Sequence, residues 1–264
     1  MKKSVTEVAL LGPSGTYTHQ AAEKYFENLE PVFCSTIREV FESELKNKFV
    51  PVENSLGGGV TDTIDFLREY DEKIAGEVEL GIQHALITDE EKISDVEKIV
   101  SHPQALAQCQ ELISEHGWSE EESNSTSEAV ENLEEGEAAL ASEISAELNG
   151  KNILQRSVQD RDVNVTRFLV LGEGSDRGEK TSLILEPGED RPGLLHAMLS
   201  CLSGHQINLS HIQSRPTKEK LGEYYFYIEA EAGGEKLSKA EKCLKTYGEV
   251  QNLGSYSLAE EQKR

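Results

Sequence analysis

Two patterns of alternation follow one another along this chain, and the change between them limits its possible folds more than any other feature. From Val5 to Leu171, short apolar runs alternate with stretches of helical periodicity. Val5–Gly12 reads as a buried strand ending in Gly-Pro, Tyr17–Asn28 as a helix and Val32–Ser35 as a short strand. Thr36-Ile37-Arg38-Glu39 is a capping box that opens the next helix. Phe49–Glu53 is another strand, followed by a glycine turn and a helix from about Val60 to Tyr70. Glu77–Thr88 reads as extended, Lys98–His102 as a strand, and Pro103–His116 as a helix with proline at its first position. Ser125–Leu133, Ser142–Leu148 and the strand Arg167–Leu171 continue the series, which predicts a mostly parallel α/β sheet.

Gly172–Lys180 is rich in glycine and charge and reads as a linker. Beyond it come a strand at Thr181–Glu186, a helix at Gly193–Ser203 and strands at Ile207–Arg215 and Glu223–Ala230. A helix at Leu237–Tyr247 and a strand at Val250–Ser257 follow. The order βαββαβ is ferredoxin-like and predicts a second domain.

Charge narrows the choice of partner. With 49 acidic residues against 26 basic ones the formal net charge is −23, so the basic footprint that nucleic-acid phosphates require is missing. An anionic membrane surface is disfavoured for the same reason. No apolar run approaches the roughly 20 residues needed to span a bilayer. Val5–Leu11 is too short for the core of a signal peptide, so a soluble cytoplasmic protein is expected. Cys34, Cys109, Cys201 and Cys243 are scattered, with no C-x-x-C pair and no zinc spacing, and read as reduced core thiols.

Several predicted strands run straight into helix starts bearing hydroxyl or amide residues. These are Thr16; Glu53, Asn54 and Ser55 before Gly57-Gly58-Gly59; Ser101 and Gln104; Ser125 and Thr126; and Ser142. Ligands of α/β sheets sit beyond the carboxyl ends of strands, where helix N-termini suit carboxylates or phosphates. The glycine run lets backbone N–H groups approach a ligand with no Cβ in the way. Ser101-x-x-Gln104 and Ser125-x-x-Glu128 equally fit capping boxes, and His102 reads as a local hydrogen-bonding residue. No lysine follows Gly12–Gly15 as an ATP loop needs, and neither G-x-S-x-G nor H-E-x-x-H occurs. Thr166 and Arg167 stand side by side before an apolar strand; neighbours on a strand face opposite ways, so a shared site requires a twist there.

Taken together, these segments resemble prephenate dehydratases that carry a C-terminal ACT regulatory domain. The resemblance rests on Gly12-Pro13-Ser14-Gly15-Thr16-Tyr17-Thr18, Pro51-Val52-Glu53-Asn54-Ser55 and Ser101-His102-Pro103-Gln104-Ala105-Leu106-Ala107-Gln108. It continues through Ser125-Thr126, Ala138-Ala139-Leu140-Ala141-Ser142 and Asn164-x-Thr166-Arg167-Phe168, in the family's order. It implies a two-lobed catalytic domain like the type II periplasmic binding proteins over residues 1–175, with lobes of about 1–82 plus 160–175 and 83–159. An ACT domain is implied over 180–264. The implied activity is that of a lyase needing no metal or organic cofactor: prephenate loses CO₂ and its ring hydroxyl as water, giving phenylpyruvate. Thr166 becomes the catalytic residue, a positioned donor to the leaving oxygen. Substrate contacts fall to Thr16, Glu53, Asn54, Ser55, Ser101, Gln104, Gln108, Ser125, Thr126, Ser142, Asn164, Arg167 and Phe168, with Arg167 gripping a carboxylate.

For the C-terminal domain the resemblance implies feedback control by phenylalanine, with domains paired in a homodimer or homotetramer. Its effector residues would be Pro192, Gly193, Leu194, Leu195, Asn208, Gln213, Ser214, Arg215 and Pro216. Leu194 stands where relatives usually have alanine, and Gln213 where they usually have glutamate, which removes a charge facing an effector's amino group. Arogenate, with an amino group in place of the keto oxygen, is the rival substrate. A non-catalytic amino-acid sensor on the same fold is the rival class.

Overall fold

In a computed structural model, residues 3–4, 7–161, 163–175, 178–189, 191–220 and 222–257 are described. The expected strand start at Val5, the neighbouring Asp162 of the Thr166 motif, and Asp176 and Arg177 of the linker lie outside them. The chain begins β1 (Lys3–Ser4), β2 (Glu7–Leu11), α1 (Tyr17–Tyr25), β3 (Phe26–Glu27), β4 (Glu30–Cys34), α2 (Ile37–Glu42), β5 (Lys48–Asn54) and β6 (Gly58–Gly59). It continues α3 (Thr61–Glu69), β7 (Ile74–Gly81), β8 (Ala85–Thr88), β9 (Lys98–Ser101), α4 (Pro103–Ala107) and α5 (Gln110–His116). Next come β10 (Ser119–Glu122), α6 (Thr126–Glu131), β11 (Glu137–Ala141), α7 (Glu143–Asn149), β12 (Asn152–Gln155) and β13 (Val165–Leu171). The expected βαββαβ order completes it as β14 (Lys180–Pro187), α8 (Leu194–Ser203), β15 (Leu209–Pro216), β16 (Tyr224–Ala230), α9 (Gly234–Leu244) and β17 (Gly248–Tyr256).

The α/β alternation holds, but the sheets are mixed. One sheet orders β4-β2-β5-β13-β7 with β6 against β5, and another orders β10-β9-β11-β8-β12. β2 pairs β4, and β9 pairs β10 and β11, all in parallel. β8 instead runs antiparallel to both β11 and β12. Val8, Ala9 and Leu10 of β2 and Ala138–Ala141 of β11 are fully buried, as expected of unbroken apolar runs covered on both faces. β10 is the opposite case. Ser119-Glu120-Glu121-Glu122 is exposed throughout and forms a charged edge, so no apolar periodicity announces it.

Two expected helices are shorter than read. α1 stops at Tyr25 because Phe26 is buried and extends as β3 alongside β1. The stretch Pro103–His116 is two helices, since Asp160 accepts the N–H groups of Gln110 (2.9 Å) and Glu111 (3.1 Å) and so starts α5 afresh. Ser101 does not cap α4. Its Oγ donates to the Leu140 carbonyl (2.6 Å), and His102 caps instead, Nδ1 accepting from the Gln104 N–H (3.2 Å). Ser125 does cap α6, accepting from the Glu128 N–H at 3.0 Å.

By packing, the chain forms two compact units: Met1–Leu45, Phe49–Gly59 and Glu79–Phe168 in one, and Lys46–Lys48, Val60–Val78 and Leu169–Arg264 in the other. In the first, Phe168 is buried and stacks on Phe49 with ring centres 5.1 Å apart. The second contains an antiparallel sheet ordered β15-β16-β14-β17. Leu183 and Ile228 of the sheet share a core with Met198 and Leu202 of α8 and with Leu237 and Leu244 of α9. α3 is held in this unit by Arg68, whose guanidinium meets Glu186 at 2.7 Å and Glu219 at 2.9 Å. Lys180 is buried between Glu77 and Glu229, 2.7 Å from each.

The four cysteines are not all reduced thiols. Cys201 of α8 and Cys243 of α9 form a disulfide, their Cα atoms 5.7 Å apart. The two helices pack side by side, a proximity that a separation of 42 residues does not reveal. Cys34 and Cys109 remain thiols, and burial followed by the Asp160 charge pushes the Cys109 thiol up to about 12. Among the described residues no helix is long and apolar enough to cross a membrane.

Candidate active site

The site is organised by Asn54, the last residue of β5. Its Oδ1 accepts the backbone N–H groups of Leu56 (3.0 Å) and Gly57 (2.8 Å), closing a tight turn. Gly58 continues that loop at φ +77, a conformation that favours glycine. Backbone N–H groups only donate, so the Asn54 oxygen must face the loop and its Nδ2 must face away. That nitrogen donates to Asn164 Oδ1 at 2.8 Å and to Thr166 Oγ1 at 2.9 Å. Asn164 in turn donates from Nδ2 to Gln108 Oε1 at 2.8 Å. Ser55 closes the frame, its N–H donating to the Val165 carbonyl and its Oγ accepting the Val165 N–H, both at 2.9 Å.

Thr166 Oγ1 is thus an acceptor toward Asn54, which leaves its own O–H to donate elsewhere. Its neighbour takes a different partner. Arg167 Nη2 lies 3.1 Å from Glu53 Oε2, so the pairs Asn54–Thr166 and Glu53–Arg167 alternate as neighbouring strand residues do.

A cleft of about 590 Å³ opens beside this frame, within the size range of small-molecule sites. Leu56, Gly57, Gln104, Gln108, Glu111 and Arg161 are among its lining residues. Gln104 and Gln108 come from the start and end of α4, and Gly57 from the loop after β5. Gly57 faces Gln104: a Cβ there would stand 3.7 Å from Gln104 Nε2, an ordinary contact.

The other expected residues hold these places. Thr16 caps α1, accepting from the His19 N–H, and Thr126 opens α6 behind the Ser125 cap. Ser142 caps α7 and its Oγ donates to the Gly15 carbonyl at 2.6 Å. Phe168 and Ser101 are turned into the interior. Four side chains near the frame escaped the sequence reading: Tyr17, His84, Gln159 and Arg161. Tyr17 O–H and His84 Nδ1 are 2.6 Å apart, His84 Nε2 and Gln108 Oε1 2.9 Å apart, and Gln159 Oε1 accepts the His84 N–H at 3.0 Å. The signal available for His84 was a polar pair, Gln83-His84, set into an apolar run. Among the described residues no group of three or more His, Cys, Asp or Glu side chains is placed to hold a metal ion.

Of the expected effector residues, Pro192 and Gly193 precede α8, with Gly193 left-handed at φ +80. Leu194 is buried in the core beneath the sheet, and Leu195 is half-buried. Asn208 donates to Glu231 at 2.9 Å. Gln213, Ser214, Arg215 and Pro216 end β15, and Arg215 pairs with Asp65.

The family described as prephenate dehydratase matches residues 8–176, and the family described as ACT domain matches residues 188–248. A prephenate dehydratase of Methanocaldococcus jannaschii is 38% identical over 264 aligned residues, covering 93% of this chain and 96% of that one. An enzyme of Arabidopsis thaliana named arogenate dehydratase/prephenate dehydratase 2 is 35% identical, covering 97% and 74%. A crystal structure of prephenate dehydratase from Arthrobacter aurescens in complex with L-Phe superposes with a TM-score of 0.84 at 29% identity, covering 98% and 92%. With a site frame built on Asn54 and Thr166 and a C-terminal βαββαβ domain, the chain belongs to the prephenate dehydratase family of lyases, in the form that carries a C-terminal ACT domain.

Proposed function

We propose that the chain converts prephenate to phenylpyruvate, CO₂ and water, with Thr166 holding the departing hydroxyl. The observation that carries this reading is the 2.9 Å bond from Asn54 Nδ2 to Thr166 Oγ1, which commits the threonine oxygen as acceptor and its proton as donor. In the reaction the ring carboxylate leaves as CO₂ and its bonding pair enters the ring. The π electrons shift, and the C–O bond on the opposite carbon breaks. Hydroxide is a poor leaving group and needs a hydrogen bond as charge builds on it. A threonine hydroxyl is too weak an acid to be a bulk proton source, so it steadies the oxygen while solvent supplies the proton that completes water. Aromatisation supplies much of the driving force, so orientation and electrostatics suffice.

Prephenate is a dianion and needs positive charge in an acidic protein. Glu53 faces Arg167, whereas Arg161 lines the cleft, so Arg161 is assigned to a substrate carboxylate, with Gln104 and Gln108 donating from their amides. For the C-terminal domain, the L-Phe complex of the Arthrobacter relative supports phenylalanine as the effector. Phenylalanine then lowers turnover by favouring one arrangement of a homo-oligomer over another. The name of the Arabidopsis relative supports a second reading, in which arogenate is also accepted.

The test is formation of phenylpyruvate from prephenate, with and without phenylalanine, beside formation of phenylalanine from arogenate. Turnover of prephenate that phenylalanine suppresses is the expected result. Folded protein that turns over arogenate alone, or neither compound, overturns it.

A further inference from the structure

We propose that His84 is a positioning residue of this site: as its Nε2–H tautomer it fixes the oxygen of Gln108, so that the Gln108 amide nitrogen is presented to the substrate. The last step rests on the dehydratase reading; the tautomer does not.

The assignment propagates from groups whose polarity is not in doubt. The backbone N–H groups of Leu56 and Gly57 orient the Asn54 amide, which orients Asn164, which places an N–H against Gln108. The atom of Gln108 that receives it must be the oxygen. His84 Nε2 meets that same oxygen at 2.9 Å and must therefore donate. The Nδ1 lone pair is then available to accept from Tyr17 O–H at 2.6 Å, the nearer of that hydroxyl's two acceptors, since the Gln83 carbonyl lies at 3.2 Å; the Tyr17 ring stands edge-on at 5.5 Å. Burial, only partly opposed by the bond to Gln108, lowers the His84 pKa and favours the neutral ring that this pattern requires.

Gln108 Oε1 consequently accepts two hydrogen bonds, one from His84 and one from Asn164. Flipping the amide would set its NH₂ against two donors, so the flip is blocked. Gln108 also lines the cleft, and with its oxygen engaged its Nε2 is the end left for a carboxylate or carbonyl oxygen. His84 itself is 3% exposed and held through its backbone, its N–H on Gln159 and its carbonyl receiving the Val158 N–H at 2.9 Å. It sits at the break between β7 and β8, where the Ile82 N–H bonds the Asn164 carbonyl at 2.7 Å. The histidine and the asparagine it assists are thus fixed to one another by main chain as well as by side chain.

Two measurements on the full chain test this. ¹⁵N NMR of the histidine side chains, without substrate, should show His84 with a pyrrole-like Nε2 and a pyridine-like Nδ1. A pyridine-like Nε2 overturns the proposal whatever the enzyme turns over. Steady-state kinetics on prephenate should then show His84→Leu raising KM by about tenfold, the effect of a lost buried hydrogen bond. kcat should fall less, and His84→Gln, which restores an N–H donor, should recover most of the loss. Equal KM defects in folded His84→Leu and His84→Gln also overturn it. Absence of turnover in the unsubstituted protein would condemn the dehydratase reading instead, leaving the tautomer to be judged by NMR.

Discussion

Arg215 grips Asp65 through two parallel hydrogen bonds, Nε to Oδ1 and Nη2 to Oδ2, each 3.0 Å long. Lys218 adds a bond of 2.6 Å and Tyr225 O–H one of 2.5 Å, so a single carboxylate on α3 gathers four donors from the C-terminal sheet and its loop. Within that unit, Arg215 is a fastener of α3 as well as a member of the expected effector motif. Replacing Asp65 by Asn should lower stability by about 1–3 kcal/mol, the cost of leaving a half-buried donor set poorly matched. Chemical denaturation at neutral pH measures it.

The same carboxylate has a definite acid signature. Burial raises its pKa, but the bonds from Arg215, Lys218 and Tyr225 and the Arg215 charge outweigh burial and hold it at about 2, below the ordinary 3.8. A group whose folded pKa is depressed contributes fully above its unfolded pKa and loses that contribution as pH falls through the folded one. Stability should therefore drop between pH 3.8 and about 2, and Asp65→Asn should remove that part of the slope. An unchanged slope in an unfolding titration would contradict the assignment.

The disulfide between Cys201 and Cys243 makes a separate prediction. It closes a loop of 42 residues, for which chain entropy gives about 4 kcal/mol of stabilisation. Cys243→Ser, or reductant added to the unsubstituted protein, should lower the denaturation midpoint accordingly. Equal midpoints with and without reductant would show that the bond does not form.

Asn54→Asp separates orientation from packing. The carboxylate still accepts from Leu56 and Gly57, but it no longer donates to Asn164 and Thr166. Thr166 O–H then turns to the new carboxylate and is lost to the leaving group. kcat should fall by about 10², as when a positioned donor is removed, with a smaller change in KM. A change confined to KM would show that Asn54 serves binding alone.

Arg161→Ala should raise KM for prephenate at least about tenfold, the order expected for one charge-assisted hydrogen bond. Arg167→Ala should act differently, because Glu53 already faces that guanidinium. Matched Michaelis curves decide which arginine meets substrate.

Much of this was legible in the sequence. Apolar runs announced β2, β5 and β13, and the later βαββαβ order gave the ferredoxin-like domain outright. The motif residues Asn54, Asn164, Thr166 and Gln108 do converge on one frame, although 110 residues separate Asn54 from Asn164. What stayed hidden depended on distant partners. The break between α4 and α5 is made by Asp160, the disulfide by the docking of α8 on α9, and the place of His84 by Gln108 and Tyr17. β10 was missed for another reason: an exposed acidic edge strand carries no apolar period at all.

A donor role for Thr166 is read out by kcat for phenylpyruvate formation by Thr166→Ala, measured beside the unsubstituted enzyme. It should fall by at least about 10² with the fold intact by circular dichroism. Near-normal turnover by the folded variant would contradict it.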